Sequence, residues 1–138
     1  MEFSFEQYVA QRIKALALTL AVFDEDFDPE VRPSNGRFGD FQANGMIAYL
    51  GRKHEDVRTW AHNLGELLTA REPGLAVSVT GAGFLNITIK DEALIQWLLK
   101  YHTEASYRGA CTSIFSDRTV VIDYSSPNTA KRMHVGHL

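Results

Sequence analysis

The sequence predicts an α+β domain in which a small, mostly antiparallel sheet packs with about four helices. Three observations predict it. Apolar residues recur at helical spacing through 5–20 and again through 57–68. Between 75 and 89 the period drops to two. A last strand-like run, TVVIDY at 119–124, is almost unbroken in its apolar character and so differs from everything before it.

The first helix is announced by Ser4 and Gln7, which have capping-box spacing, with Phe3 placed to staple onto Tyr8. Phe5, Tyr8, Val9, Ile13, Leu16, Ala17 and Leu20 then share one apolar face. The helix is expected to fade near DEDFDPE, 24–30, an acidic run read as a solvated loop. The stretch VRPSNGRFGDFQANG, 31–45, has no clean period and holds three glycines and a proline. It reads as an extended segment or hairpin passing into a short helix over 43–50, with Phe38 and Phe41 in the core and Gln42 and Asn44 bracing the loop. A third helix spans roughly 54–71, with Val57, Trp60, Ala61, Leu64, Leu67 and Leu68 on one face, and Pro73-Gly74 stops it.

In LAVSVT, Leu75, Val77 and Val79 alternate with small residues. After the turn at Gly81 and Gly83, Leu85, Ile87 and Ile89 point one way and Phe84, Asn86 and Thr88 the other. Asp91 is placed to cap a fourth helix running to about 107, with Leu94, Leu98 and Tyr101 inward. Residues 109–118 read as a linker. The run at 119–124 then has the character of a strand buried on both faces, which belongs in a parallel sheet that too few remaining residues could build. The expected organisation is one domain over 1–108, the linker 109–118, and the start of a different unit at 119–138.

Composition narrows the class. The 138 residues are 45% hydrophobic and 22% charged, ordinary values for a globular domain. Fourteen basic residues stand against seventeen acidic ones, so any contact with nucleic acid must come from a local patch or an aromatic platform. Arg32, Arg37, Arg52, Lys53, Arg58 and Arg71 offer a basic strip only if the fold gathers them; scattered charges of this kind are usually solvated. The lone Cys111 excludes a disulfide framework and fits a reducing compartment. No apolar run is long enough to span a bilayer, and MEFSFEQYV lacks the basic start of a signal peptide. A soluble, cytoplasmic protein with no membrane partner is expected.

The end of the chain carries the chemistry. A buried strand, a tight loop with proline and a helix start form the layout of the first unit of a Rossmann-type nucleotide-binding fold. A helix N-terminus there offers free N–H groups and a positive dipole end to a phosphate. His134 and His137 add donors that can follow a phosphate through its transition state, Lys131 adds a point charge, and Gly136 lets a nucleotide approach the backbone. A zinc pair at that spacing would need further ligands, and neither Cys111 nor His54, His62 and His102 forms a recognisable half-site, so no metal is expected.

The run DYSSPNTAKRMHVGHL resembles the corresponding segment of the arginyl-tRNA synthetases, and His134-Val-Gly-His137 is similar to the His-x-Gly-His signature of class I aminoacyl-tRNA synthetases. GDFQANGM at 39–46 and GAGFLNITI at 81–89 resemble segments of that family's N-terminal domain, which touches the D-loop at the elbow of the tRNA. Ala82 stands where the family commonly has proline, which predicts a less rigid turn. The resemblance implies an arginine–tRNA ligase in which Asp123, Ser126 and Asn128 hold L-arginine and Lys131, His134, Gly136 and His137 serve ATP, bound with Mg²⁺. It also implies that the arginine carboxylate attacks the α-phosphate and that the aminoacyl group then passes to the tRNA.

Phe84 and Asn86 are the candidates for tRNA contact. A ring with an amide two residues on suits an unstacked base, which the ring stacks while the amide bonds an edge. Periodicity alone equally allows both to pack under a helix; the resemblance favours RNA. The chain is therefore expected to be the tRNA-binding N-terminal piece of the enzyme, inactive as a ligase by itself. The intact enzyme is expected to be a monomer, and this piece to self-associate through 119–124. A stand-alone RNA-binding module with a vestigial nucleotide-binding segment is the alternative, and a small metal- or nucleotide-binding regulator using the histidine pair is a third.

Overall fold

The computed structural model describes residues 2–115, 119 and 121. In chain order its elements are α1 (Phe5–Ala17), β1 (Val31–Gly36), β2 (Gly39–Ala43), α2 (Gly45–Arg52), α3 (Val57–Arg71), β3 (Leu75–Thr80), β4 (Phe84–Ile89), α4 (Asp91–Tyr101) and α5 (Glu104–Phe115). The four strands form one antiparallel sheet in the order β1-β2-β4-β3, so the α+β expectation holds. Of the two readings of 31–45, the hairpin is the one observed.

Alternation along β4 sets which face is buried. Leu85 and Ile87 are fully enclosed and Ile89 nearly so; Ala43 and Val31 flank Leu85 on one side and Val79 on the other. This face meets α1, through Val9, Ile13 and Ala17, and α3, through Ala61, Leu64 and Leu68. The acidic loop after α1 is anchored from inside: Phe27 is fully buried against Tyr49 and Phe23, while its carboxylates stay outside. Lys53 Nζ ties the loop to α2, donating to Asp24 Oδ2 at 2.6 Å, to Tyr49 Oη at 2.6 Å and to the Val22 carbonyl at 3.0 Å. The Lys53 ammonium, with help from the Tyr49 hydroxyl, holds the Asp24 carboxyl below the usual carboxylate range.

Helix α1 starts as the capping pattern predicts, with Ser4 Oγ accepting from the Gln7 amide at 3.3 Å. The staple is different. Phe3 packs among Trp97, Tyr101 and Tyr107, with ring centroids 5.2–5.4 Å away, and its carbonyl accepts from Trp97 Nε1 at 2.9 Å. Tyr8 instead donates to Glu72 Oε2 at 2.8 Å, and Arg12 Nε reaches Oε1 of the same buried carboxylate at 2.6 Å. That cluster locks α1 to the end of α3. Burial first, and then the carboxylate accepting its proton, push the Tyr8 hydroxyl up to about 12.

Four further expectations change. Helix α4 turns Ala93, Trp97 and Tyr101 inward, and Leu94 and Leu98 are 38% and 57% exposed, because the aromatic cluster around Phe3 takes the inner side. Asp91 is the first helical residue and Lys90 occupies the cap; Asp91 and Glu92 favour the helix start through its dipole, not through a side-chain cap. The helical stretch beyond 91 divides near 102, and residues 104–115 of the region read partly as a linker are the fifth helix among the described residues. Phe38 sits in the β1–β2 turn, 43% exposed under the Arg37 guanidinium, while Phe41 does pack on the core. The expected strand at 119–124 and the nucleotide-binding segment after it lie outside the described residues, apart from positions 119 and 121.

Candidate nucleic-acid interface

Among the described residues no helix of the core packs on the opposite face of the sheet, where Arg32, Ser78, Thr80 and Thr88 are all exposed. The register sets Arg32 beside Gln42, Gln42 beside Asn86 and Asn86 beside Ser78, giving one polar row across all four strands. The next pair along β3 and β4 is Thr80 with Phe84. Phe84 and Asn86 thus share this face, as the period-two pattern predicts.

Asn86 is less available than its position suggests. It is only 4% exposed. Its Oδ1 accepts from Gln42 Nε2 at 2.7 Å, and its Nδ2 donates to Thr80 Oγ1 at 2.8 Å. Both ends of the amide are therefore held, which fixes its orientation and leaves at most one donor and one lone pair for a ligand. Gln42, expected to brace a loop, is half-buried at the outer end of this chain, and its Oε1 makes no hydrogen bond among the described residues. It is the amide carbonyl best placed to face a ligand. Asn44, its companion in that expectation, occupies the cap of α2 without a side-chain capping bond, and its Oδ1 is buried with no partner among the described residues.

Phe84 is half-buried, and its ring contacts no other aromatic ring among the described residues. It leans on the β3–β4 turn: a Cβ added at Gly81 would lie 3.3 Å from the ring's Cδ2. The turn itself depends on glycine. Gly83 has φ of +121°, and a Cβ there would come within 2.6 Å of Val57 Cγ1 on α3. The ring is thus seated against a turn that packs on α3, beside oriented amides.

The basic residues do not form one strip. Arg32 lies in the polar row, Arg37 covers Phe38, Lys53 is committed to the loop after α1, and Arg71 closes the last turn of α3. Arg58 stands at the β3–β4 turn, where Nη2 donates to the Gly81 carbonyl at 3.2 Å. Sequence reasoning gave Gln42 no ligand-facing place and Arg58 one only as a member of the basic strip; the polar phase of β2 was the available signal for Gln42. Asp123, Ser126, Asn128, Lys131, His134, Gly136 and His137 lie outside the described residues. Among the described residues no three His, Cys, Asp or Glu side chains are grouped to hold a metal, and no helix is long and apolar enough to cross a membrane.

Comparison with known proteins gives two family matches. Residues 4–89 match the arginyl tRNA synthetase N terminal domain, and residues 104–138 match the tRNA synthetases class I (R), catalytic domain. The second match begins where α5 begins. Curated relatives include an arginine–tRNA ligase of Rippkaea orientalis, 37% identical over 134 residues that make up 96% of this chain and 23% of the relative. Those of Thermobifida fusca and Haemophilus influenzae are 35% and 34% identical, covering 94% and 98% of this chain but 22% and 23% of their own lengths. The chain spans less than a quarter of the length of these relatives.

Proposed function

The chain belongs to the arginyl-tRNA synthetase family, and from that premise we propose that it is the module with which an arginine–tRNA ligase grips the D-loop region of its tRNA. The observation that carries the reading is the open sheet face, where Phe84 offers a ring beside the Gln42–Asn86–Thr80 amide chain. A base that leaves its stack in a folded RNA loop would lie on the ring and meet the amide groups at its edge. Gln42 Oε1 supplies the acceptor and Asn86 holds Gln42 in place, so base reading falls to Gln42 as much as to Asn86.

The whole enzyme's chemistry follows from the family. It joins L-arginine to its tRNA at the expense of ATP, with Mg²⁺ accompanying the nucleotide as substrate. On this reading Asp123, Ser126 and Asn128 hold arginine, and Lys131, His134, Gly136 and His137 meet ATP at a helix start. On this reading the 138 residues bind RNA and do not charge it, a reading that a catalytic-domain match confined to residues 104–138 supports. Chemical probing of an arginine tRNA transcript with and without the chain tests the assignment. Protection of D-loop nucleotides that Phe84→Ala abolishes is expected. Protection confined to the anticodon or acceptor stem would overturn it, and charging of tRNA by the chain alone would overturn the second part.

A further inference from the structure

The β3–β4 turn joins the open face to a groove on the far side of the edge strand. Gly83 is pressed on α3, close to Val57 and 3.5 Å from the Ala61 Cβ for an added Cβ. That docking brings the Gly81 carbonyl to Arg58, while the other side of Gly81 meets the Phe84 ring. One glycine therefore separates an exposed guanidinium from the stacking platform. Beyond Arg58 a groove of about 490 Å³ runs between α3 and β3, lined among others by His62, Asn63, Thr80 and Gly81.

The groups in this groove have hydrogen-bonding capacity left over. Arg58 uses one of its five N–H donors on Gly81 and forms no ion pair among the described residues. The nearby Asp56 carboxylate is committed to capping α3, accepting from the Arg58 amide at 3.1 Å and from Thr59 Oγ1 at 2.6 Å. Because Gly81 already orients the guanidinium, a ligand finds it partly ordered.

We propose that this groove is a subsite for the sugar–phosphate backbone of the nucleotide adjoining the base on Phe84. Arg58 takes the phosphate, and Asn63 faces the ribose hydroxyl. The RNA then wraps round the end of the edge strand, stacked on one side of the turn and held by charge on the other. The proposal rests on the reading of Phe84 as a stacking platform, and one experiment separates the two.

Affinity of the 138-residue chain for an unmodified arginine tRNA transcript is measured by fluorescence anisotropy across a salt series. Each phosphate contact contributes roughly 0.7 to the slope of log affinity against log salt for single-stranded RNA. Arg58→Gln is expected to weaken binding about tenfold at low salt and to lower that slope by roughly 0.7–1. Arg58→Lys retains the slope, and Phe84→Ala weakens binding with the slope unchanged. If Arg58→Gln leaves the slope at the parent value, Arg58 only braces the turn and the subsite is overturned, even if affinity falls. If Phe84→Ala leaves affinity unchanged while Arg58→Gln lowers the slope, the stacking reading fails and the phosphate contact stands. Absence of binding by the parent chain overturns both.

Discussion

Gln42 and Asn86 sit directly opposite each other on β2 and β4, and the Gln42 side-chain amide donates to Asn86 Oδ1 at 2.7 Å. The bond makes the buried asparagine a support for the glutamine. Loss of Asn86 would strip two partners at once, Gln42 and Thr80, from a nearly closed site.

Stability and RNA affinity should therefore separate between two neighbours on one strand. Asn86→Ala is expected to cost about 1–3 kcal/mol of stability, through the partners left unpaired. Phe84→Ala is expected to cost about 1–3 kcal/mol in tRNA binding, the worth of a stacked base. Urea unfolding paired with anisotropy titration measures both. Equal effects of the two substitutions on binding, with no stability cost for Asn86→Ala, would show the asparagine to be a direct contact only.

The turn glycines should differ in their tolerance. Gly83 and Gly36 both have positive φ, at +121° and +78°, but only Gly83 is crowded, since nothing lies within 4 Å of a Cβ at Gly36. Gly36→Ala should cost only the backbone strain, about 1–2 kcal/mol. Gly83→Ala adds overpacking against Val57, worth about 1–3 kcal/mol more. Denaturation midpoints at constant slope check the order; a reversed order would mean that the turn is not pinned on α3.

The two sides of α4 provide a third test. Leu98, 57% exposed, should accept Gln with a change within about 0.5 kcal/mol. Trp97→Ala removes ring contacts to Phe3, Phe5 and Tyr101 together with the bond to the Phe3 carbonyl, and is expected to cost about 3 kcal/mol or more. Thermal unfolding of the two variants decides it, and a larger loss for Leu98→Gln would restore the inward phase that the sequence suggests.

Alkaline pH should loosen α1 from α3. Tyr8 is raised from 10.0 to about 12 in the folded chain, so the folded state holds its proton more tightly than the unfolded state does. The resulting contribution is fully present below pH 10 and is lost as pH rises towards 12. Absorbance titration of the phenolates should show one tyrosine ionising late, and Tyr8→Phe should remove that step and flatten the stability profile over the same interval. An unchanged profile would mean that Glu72 does not hold the hydroxyl.

Periodicity along the chain was enough to place α1 and α3, the β3–β4 pair and the shared face of Phe84 and Asn86, because each depends on residues within one or two turns of each other. The resemblance carried by the residue order of the final segment and of the two glycine-bearing stretches was enough to point to the family. Tertiary structure alone decided what those residues do for one another. Asn86 is matched to Gln42 across 44 positions, and Trp97 to the Phe3 carbonyl across 94. No local pattern carries such pairings. The same is true of α4, where an aromatic cluster assembled from both ends of the domain overrode the leucine spacing, and of Arg58, which gains its place only because a glycine lets the β3–β4 turn close onto α3.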